Sequence, residues 1–228
     1  MLAIENLTAS RGGTEILRNV NLTVGDGTIV SLIGRNGVGK TTLMKAIMGL
    51  VDVKRGDIFF KNINIKNLPP DKRANLGIGY VPQGRGIFPY LTVRENLTVG
   101  LDKINKWEMD EVLELFPMLK CIMNRLGGNL SGGQQQQLAI ARVLLRKPRL
   151  ILMDEPTEGI QPSIVSEIQE AIKRINKEKG VAILLVEQYL DFALDVAQSI
   201  YVMDCGKIVF EGKAKELDDE QVKSYLTI

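Results

Sequence analysis

The sequence predicts an α/β fold built on a mostly parallel sheet, and three observations carry the prediction. Short continuous apolar runs at residues 29–33, 150–153, 181–186 and 199–203 are edged by polar residues or glycine, the pattern of strands buried on both faces. Helical periodicity fills stretches between them, at residues 41–50, 134–145 and 162–178, and strand alternating with helix is how a parallel sheet is wound. Between about Pro89 and Lys147 no convincing strand is present, which predicts an all-helical lobe inserted into that core.

Along the chain, Met1-Leu2-Ala3-Ile4-Glu5 reads as an opening strand, and roughly the first 65 residues keep a β character. Turns expected at Gly12-Gly13, Gly25-Asp26-Gly27 and Arg55-Gly56-Asp57 predict an antiparallel sheet flanking the core. The helical lobe opens on Thr92 and Glu95, spaced as a capping box in which each side chain satisfies an orphan amide of the helix start. Pro162 opens the helix at 162–178 and Gly180 closes it, proline suiting the first turn and glycine the reversal at the end. At 228 residues the chain slightly exceeds the usual domain size of roughly 100 to 200. One domain is therefore expected over residues 1–228, with the α/β core and β subdomain in 1–88 and 148–228 and the helical lobe in 89–147.

Composition narrows the chemistry. The 29 basic and 27 acidic side chains leave a net charge of +2, which removes the simplest argument for a nucleic-acid partner. The 0 histidines exclude imidazole bases, His–metal sites and Ser-His-Asp or Cys-His nucleophiles. Cys121 and Cys205 are far apart with no CxxC spacing, so they are expected to be free, partly buried thiols in a reducing compartment. No run approaches the roughly 20 apolar residues of a membrane span, and the start lacks a signal peptide's pattern. The expectation is a cytoplasmic protein that can sit on a membrane protein.

Two motifs then specify a site. Gly34-Arg35-Asn36-Gly37-Val38-Gly39-Lys40-Thr41-Thr42 follows a predicted strand and opens a predicted helix, the context required of a GxxxxGK[ST] loop. Its glycines let backbone N–H groups turn inward around phosphate, and the helix adds its positive end. Lys40 would reach the β and γ phosphates and Thr41 would take a place on Mg²⁺, the pattern of a P-loop NTPase core. At the C-terminal end of the run at 150–153 stand Asp154 and Glu155, where open parallel sheets bind ligands. Asp154 would hold Mg²⁺, and Glu155 would polarise the water attacking the γ phosphate.

A further anion site is expected at Ser131-Gly132-Gly133-Gln134, again a hydroxyl and flexible backbone at a helix start. One nucleotide needs one phosphate loop, so a second such helix end implies use on a nucleotide held by another chain. With Leu130-Ser131-Gly132-Gly133-Gln134 in this order and spacing, the sequence resembles an ATP-binding cassette (ABC) ATPase over essentially its whole length. The resemblance implies ATP and Mg²⁺ at the site, a head-to-tail dimer with a second ABC ATPase subunit, and two transmembrane permease subunits. It further implies an external substrate-binding protein acting indirectly, no nucleic acid, and a peripheral place on the cytoplasmic face of the membrane. Gln83, in Tyr80-Val81-Pro82-Gln83-Gly84-Arg85, matches the family's glutamine that senses Mg²⁺ and water. Gly86 to Thr92, with Phe88 and Leu91, would border the groove receiving a permease's coupling helix. Cassette ATPases of DNA repair or translation would be expected to carry a long coiled-coil insertion or a second cassette, and neither fits 228 residues.

Three departures narrow the resemblance. Gln188 stands where most relatives carry a switch histidine; its amide can donate to a γ phosphate oxygen but cannot become cationic. Gln161 replaces the usual aspartate after the Asp154-Glu155 strand end, and Ser10-Arg11 replaces the aromatic that stacks on adenine, leaving Arg11 to stack through its guanidinium plane. The first two departures resemble the subfamily serving branched-chain amino acid and amide importers. Within it the motifs look most like the ATP-binding subunits of urea transporters, with an importer of branched-chain amino acids and a regulatory subunit of little hydrolysis as the alternatives.

Overall fold

The computed structural model describes residues 1–216. Its centre is a six-stranded sheet in the order β10-β9-β3-β8-β7-β6, formed by β3 (Ile29–Ile33), β6 (Ile78–Val81), β7 (Leu150–Asp154), β8 (Ala182–Glu187), β9 (Ser199–Asp204) and β10 (Lys207–Lys213). All pairs are parallel except β9 with β10. A second, antiparallel sheet has the order β2-β1-β4-β5, from β1 (Leu2–Arg11), β2 (Thr14–Val24), β4 (Val53–Phe60) and β5 (Ile63–Asn64).

Alternation along the parallel strands explains why the sheet must be covered twice. Val30 and Leu32 of β3, Leu150 and Leu152 of β7, and Leu184 and Val186 of β8 face one core, shared with the antiparallel sheet and with α1 (Lys40–Met48). Ile29 and Ile33, Ile151 and Met153, and Ile183 and Leu185 face the other. That second core is closed by α6 (Gly132–Leu144), α7 (Pro162–Lys179) and α8 (Leu190–Val196), with the short helices α3 (Val93–Thr98), α4 (Lys106–Leu115) and α5 (Pro117–Cys121) around α6. The remaining helix, α2 (Pro70–Asn75), packs between α1 and β6.

The predicted architecture is therefore the observed one, with local corrections. Arg55-Gly56-Asp57 is not a turn but lies inside β4, where the register against β1 shifts between Glu5 and Thr8. Gly56 takes φ 82° there, and a Cβ would stand 2.4 Å from the carbonyl oxygens of Glu5 and Asn6, so glycine permits a bulge rather than a reversal. Cys121 and Cys205 are both free but exposed rather than partly buried. The capping boxes at Thr92/Glu95 and Ser131/Gln134 are both formed. Among the described residues no helix is long and apolar enough to cross a membrane.

Candidate nucleotide site

The buried β3 hands the chain to α1 through residues 34–39, and sterics fix the glycines of that loop. A Cβ on Gly34 would stand 2.3 Å from the Met203 carbonyl oxygen of neighbouring β9. Gly39 caps α1 at φ 116° with Leu17 3.0 Å from its absent Cβ, while Gly37, at φ 82°, faces open space. Beside the loop lies a cavity of about 440 Å³ lined by Asn36, Gly37, Gly39, Lys40, Thr41, Thr42, Gln83 and Glu155, together with Ile16 and Lys45.

Lys40 is buried at the head of α1, and its Nζ donates to the carbonyl oxygens of Gly34 (2.6 Å) and Arg35 (2.9 Å). Glu155 Oε1 lies 3.5 Å from the same nitrogen. Burial pulls the Lys40 ammonium below its usual range, and the Glu155 carboxylate opposes that pull. Glu155, only 7% exposed, sits at φ 50° with its N–H held by the Val186 carbonyl at 3.0 Å. A left-handed non-glycine residue costs about 1 to 2 kcal/mol, and the ladder to β8 supplies the restraint that keeps it there.

Strand ends bring the remaining groups together. Thr41 Oγ1 donates to Asp154 Oδ1 (3.2 Å) and Tyr80 OH to Asp154 Oδ2 (3.3 Å). Burial pushes the fully buried Asp154 carboxyl above its ordinary range, partly offset by the Thr41 hydroxyl. Gln83 Nε2 donates to Glu155 Oε2 (3.1 Å) and to Glu158 Oε2 (3.0 Å). A threonine hydroxyl and a carboxylate in contact, beside a glutamine, form an all-oxygen set suited to a hard divalent cation such as Mg²⁺.

Of the residues expected from sequence, 36, 37, 39–42, 83 and 155 line one cavity, with Asp154 bonded to its Thr41. Gln188 follows β8 as a half-buried residue, its backbone N–H donating to Glu187 Oε2 at 3.2 Å. Ser131 and Gln134 do not reach the cavity; they border a separate groove together with Gln161. Arg11 ends β1, but its side chain lies outside what the structure describes. Sequence reasoning passed over Tyr80, which grips Asp154, and Glu158, the second acceptor of Gln83. It also passed over Glu187, which accepts from Thr157 Oγ1 at 2.8 Å. An acid closing an entirely apolar run, as Glu187 closes β8, is the signal that was available.

A glycine loop between a buried strand and a helix, with a buried lysine and carboxylates at neighbouring strand ends, defines a P-loop nucleoside triphosphatase. The family is narrower: the profile described as "ABC transporter" matches residues 17–158, and the chain belongs to that family of ATPases. It is 38% identical over 221 residues to the probable branched-chain amino acid transport ATP-binding protein LivF of Archaeoglobus fulgidus, covering 95% of this chain and 94% of that one. It is 41% identical over 213 residues to the high-affinity branched-chain amino acid transport ATP-binding protein BraG of Pseudomonas aeruginosa, covering 92% and 91%. Among solved structures, the dimeric post-hydrolysis state of the ATP-binding cassette MJ0796 bound to ADP and Pi superposes with TM-score 0.83 at 29% identity, covering 95% of this chain and 100% of that one.

Proposed function

We propose that the chain is the ATP-hydrolysing subunit of an ABC importer, paired head to tail with a second cassette and seated under two permeases on the cytoplasmic face of a membrane. The observation that carries this reading is the division of the site. The loop, Lys40, Thr41, Gln83 and Glu155 share one cavity, whereas Ser131 and Gln134 face a separate groove of the same chain. Such a helix end serves a nucleotide only when another chain brings one to it.

In this reading Lys40 leaves the Gly34 and Arg35 carbonyls to meet the β and γ phosphates, and the N–H groups of residues 34–39 surround the rest of the triphosphate. Mg²⁺ held by Thr41 and Asp154, with Gln83 beside it, would neutralise developing phosphate charge. Glu155 accepts the hydrogen bond of the attacking water once Lys40 has moved to the phosphate, and Gln83 keeps the Glu155 carboxylate turned toward the cavity. Gln188 donates to a γ phosphate oxygen, and Arg11 stacks on adenine. Ser131, Gly132, Gly133 and Gln134 close over the partner's nucleotide. Because ATP bridges two chains only when they are closed, binding shifts the population toward closure and hydrolysis releases it.

The cargo is a small polar metabolite. The motif pattern favours urea or a related short amide, while the similarity to the branched-chain amino acid transport proteins LivF and BraG favours a branched-chain amino acid. Vesicles that enclose ATP and carry this chain with its companion cassette and permeases, the binding protein outside, separate the two: labelled urea or labelled leucine is offered outside, and only one of them should accumulate. Replacing Glu155 by Gln should leave nucleotide binding intact and lower turnover by about 100-fold or more. A variant that hydrolyses ATP at the parent rate would remove Glu155 from the role of base.

A further inference from the structure

We propose that Arg85 is a positioning residue that fastens the glutamine loop of the nucleotide cavity to the helix end carrying Ser131, Gly132 and Gly133. The nucleotide held by this chain thereby sets the orientation of the helix end offered to the other cassette. The inference rests on the two-chain reading of the site given above.

Residues 82–86 form a tight turn, with the Arg85 N–H bonded to the Pro82 carbonyl at 3.0 Å and the Gly86 N–H to the Gly84 carbonyl at 2.8 Å. On its inner side Gln83 holds Glu155 and Glu158. On its outer side Arg85, at φ 71°, turns its guanidinium to α6, where Nη1 donates to Gln135 Oε1 at 3.1 Å. The same group lies against Gly132, where a Cβ would stand 2.8 Å from Nη2 and 3.2 Å from Cζ. A side chain at 132 would push the guanidinium off, so the glycine that opens α6 also makes room for the arginine. Gln135 completes the connection: its Nε2 donates to the Gly127 carbonyl at 3.1 Å and its N–H to the Ser131 carbonyl at 2.9 Å. At the far end of α6, Arg142 Nη2 donates to the Gly86 carbonyl at 2.7 Å, so the turn is tied to both ends of the helix.

A displacement of Gln83 when Glu155 changes partner therefore moves a short turn with few degrees of freedom, and that turn bears on the first turn of α6. The planar, forked guanidinium can lie flat on Gly132 while directing an N–H at Gln135; an ammonium on a flexible stem cannot do both. Arg85 does not line the nucleotide cavity, which separates its influence from nucleotide binding within the chain.

The test compares Glu155→Gln with Glu155→Gln/Arg85→Gln, each with the cassette that co-purifies with it, by light scattering with and without ATP. A fluorescent ATP analogue reports binding by the isolated chain, and thermal unfolding reports the fold. The expected result is unchanged analogue affinity and melting temperature, ATP-dependent dimerisation weakened by about 5-fold or more, and no rescue by Arg85→Lys. In the otherwise native chain, Arg85→Gln should lower kcat with KM held. Adding Gln135→Ala should make little further difference, because both substitutions cut one connection. Dimerisation equal to that of the Glu155→Gln parent, or strictly additive losses from Arg85→Gln and Gln135→Ala, would overturn the inference. A Glu155→Gln parent that itself fails to dimerise with ATP would instead overturn the two-chain reading on which the inference rests.

Discussion

Three donors converge on the buried carboxylate of Glu187: Thr157 N–H at 3.3 Å, Thr157 Oγ1 at 2.8 Å and Gln188 N–H at 3.2 Å. Burial raises the Glu187 pKa, and these donors hold it back. Glutamine has nearly the same shape but only one acceptor oxygen. If that oxygen takes Thr157, its amide nitrogen meets the Gln188 N–H, donor against donor. Glu187→Gln should therefore destabilise the protein by roughly 1 to 3 kcal/mol, read as a lower melting temperature; an unchanged value would show that the carboxylate does not hold the Gln188 backbone. Asp154 shares the raised direction, but its two donors are the Thr41 and Tyr80 hydroxyls, which can turn to accept from an amide nitrogen as a backbone N–H cannot. Its buried carboxyl has a raised pKa, so the fold is favoured by the neutral form and loses that advantage as pH rises through the raised value. Asp154→Asn keeps an acceptor for Thr41, sheds the buried charge, and should raise the melting temperature of the nucleotide-free protein by about 2 to 4 °C while abolishing Mg²⁺-dependent hydrolysis. The stability difference should shrink toward acid pH, where wild-type Asp154 is also neutral, and a difference that grows there would contradict the assignment.

Packing between elements depends on groups that look unremarkable in sequence, and Arg73 of α2 is the clearest. It is 2% exposed, and every hydrogen bond shown by its guanidinium goes to a backbone carbonyl: Leu68 from Nε, Ala46 and Ile47 from Nη1, and Lys66 from Nη2, at 2.6 to 2.8 Å. Ala46 and Ile47 lie in the last turn of α1, where carbonyls run out of following helical amides; Ala46 also takes the Gly49 N–H at 3.1 Å. One guanidinium thus finishes the phosphate-loop helix and anchors the approach to β6. Arg73→Met should cost about 3 kcal/mol or more, since carbonyls are stripped of charged donors in a closed site; chemical denaturation measures it, and a loss under 1 kcal/mol would mean that water replaces the guanidinium. Arg73 was invisible beforehand because its partners are carbonyls of two segments, 46–47 and 66–68, which leave no side-chain pattern. β6 was missed for a related reason: Ile78-Gly79-Tyr80-Val81 is too short for a periodicity, and its glycine is explained only by Val143, whose Cγ1 would stand 2.4 Å from a Cβ there. By contrast β3, β7 and β8 were legible because each is an apolar run broken only by Ser31 and by the acids that end β7 and β8, and the loop at 34–42 because its spacing is fixed by phosphate geometry rather than by distant packing.

At the scale of the molecule, the sheet presents one set of side chains to each of two cores, and its strand ends carry Asp154, Glu155 and Glu187 to one edge. Those carboxylates and Lys40 supply the buried ionisable groups there, and the chain has 0 histidines. No imidazole of this chain can therefore titrate during turnover, and in the proposed function Gln188, expected at the position of the family's switch histidine, would act as a neutral donor. The pH–rate profile should consequently show no limb between about pH 6 and 7 that arises from a histidine of this chain. Gln188→His restores a ring that can donate to a phosphate oxygen, so it should retain more activity than Gln188→Ala. It should also acquire a limb that the parent lacks, because imidazole changes charge in that window while the amide does not. The measurement is kcat against pH for the three proteins. Equal loss in the two variants would show that Gln188 contributes no hydrogen bond to turnover.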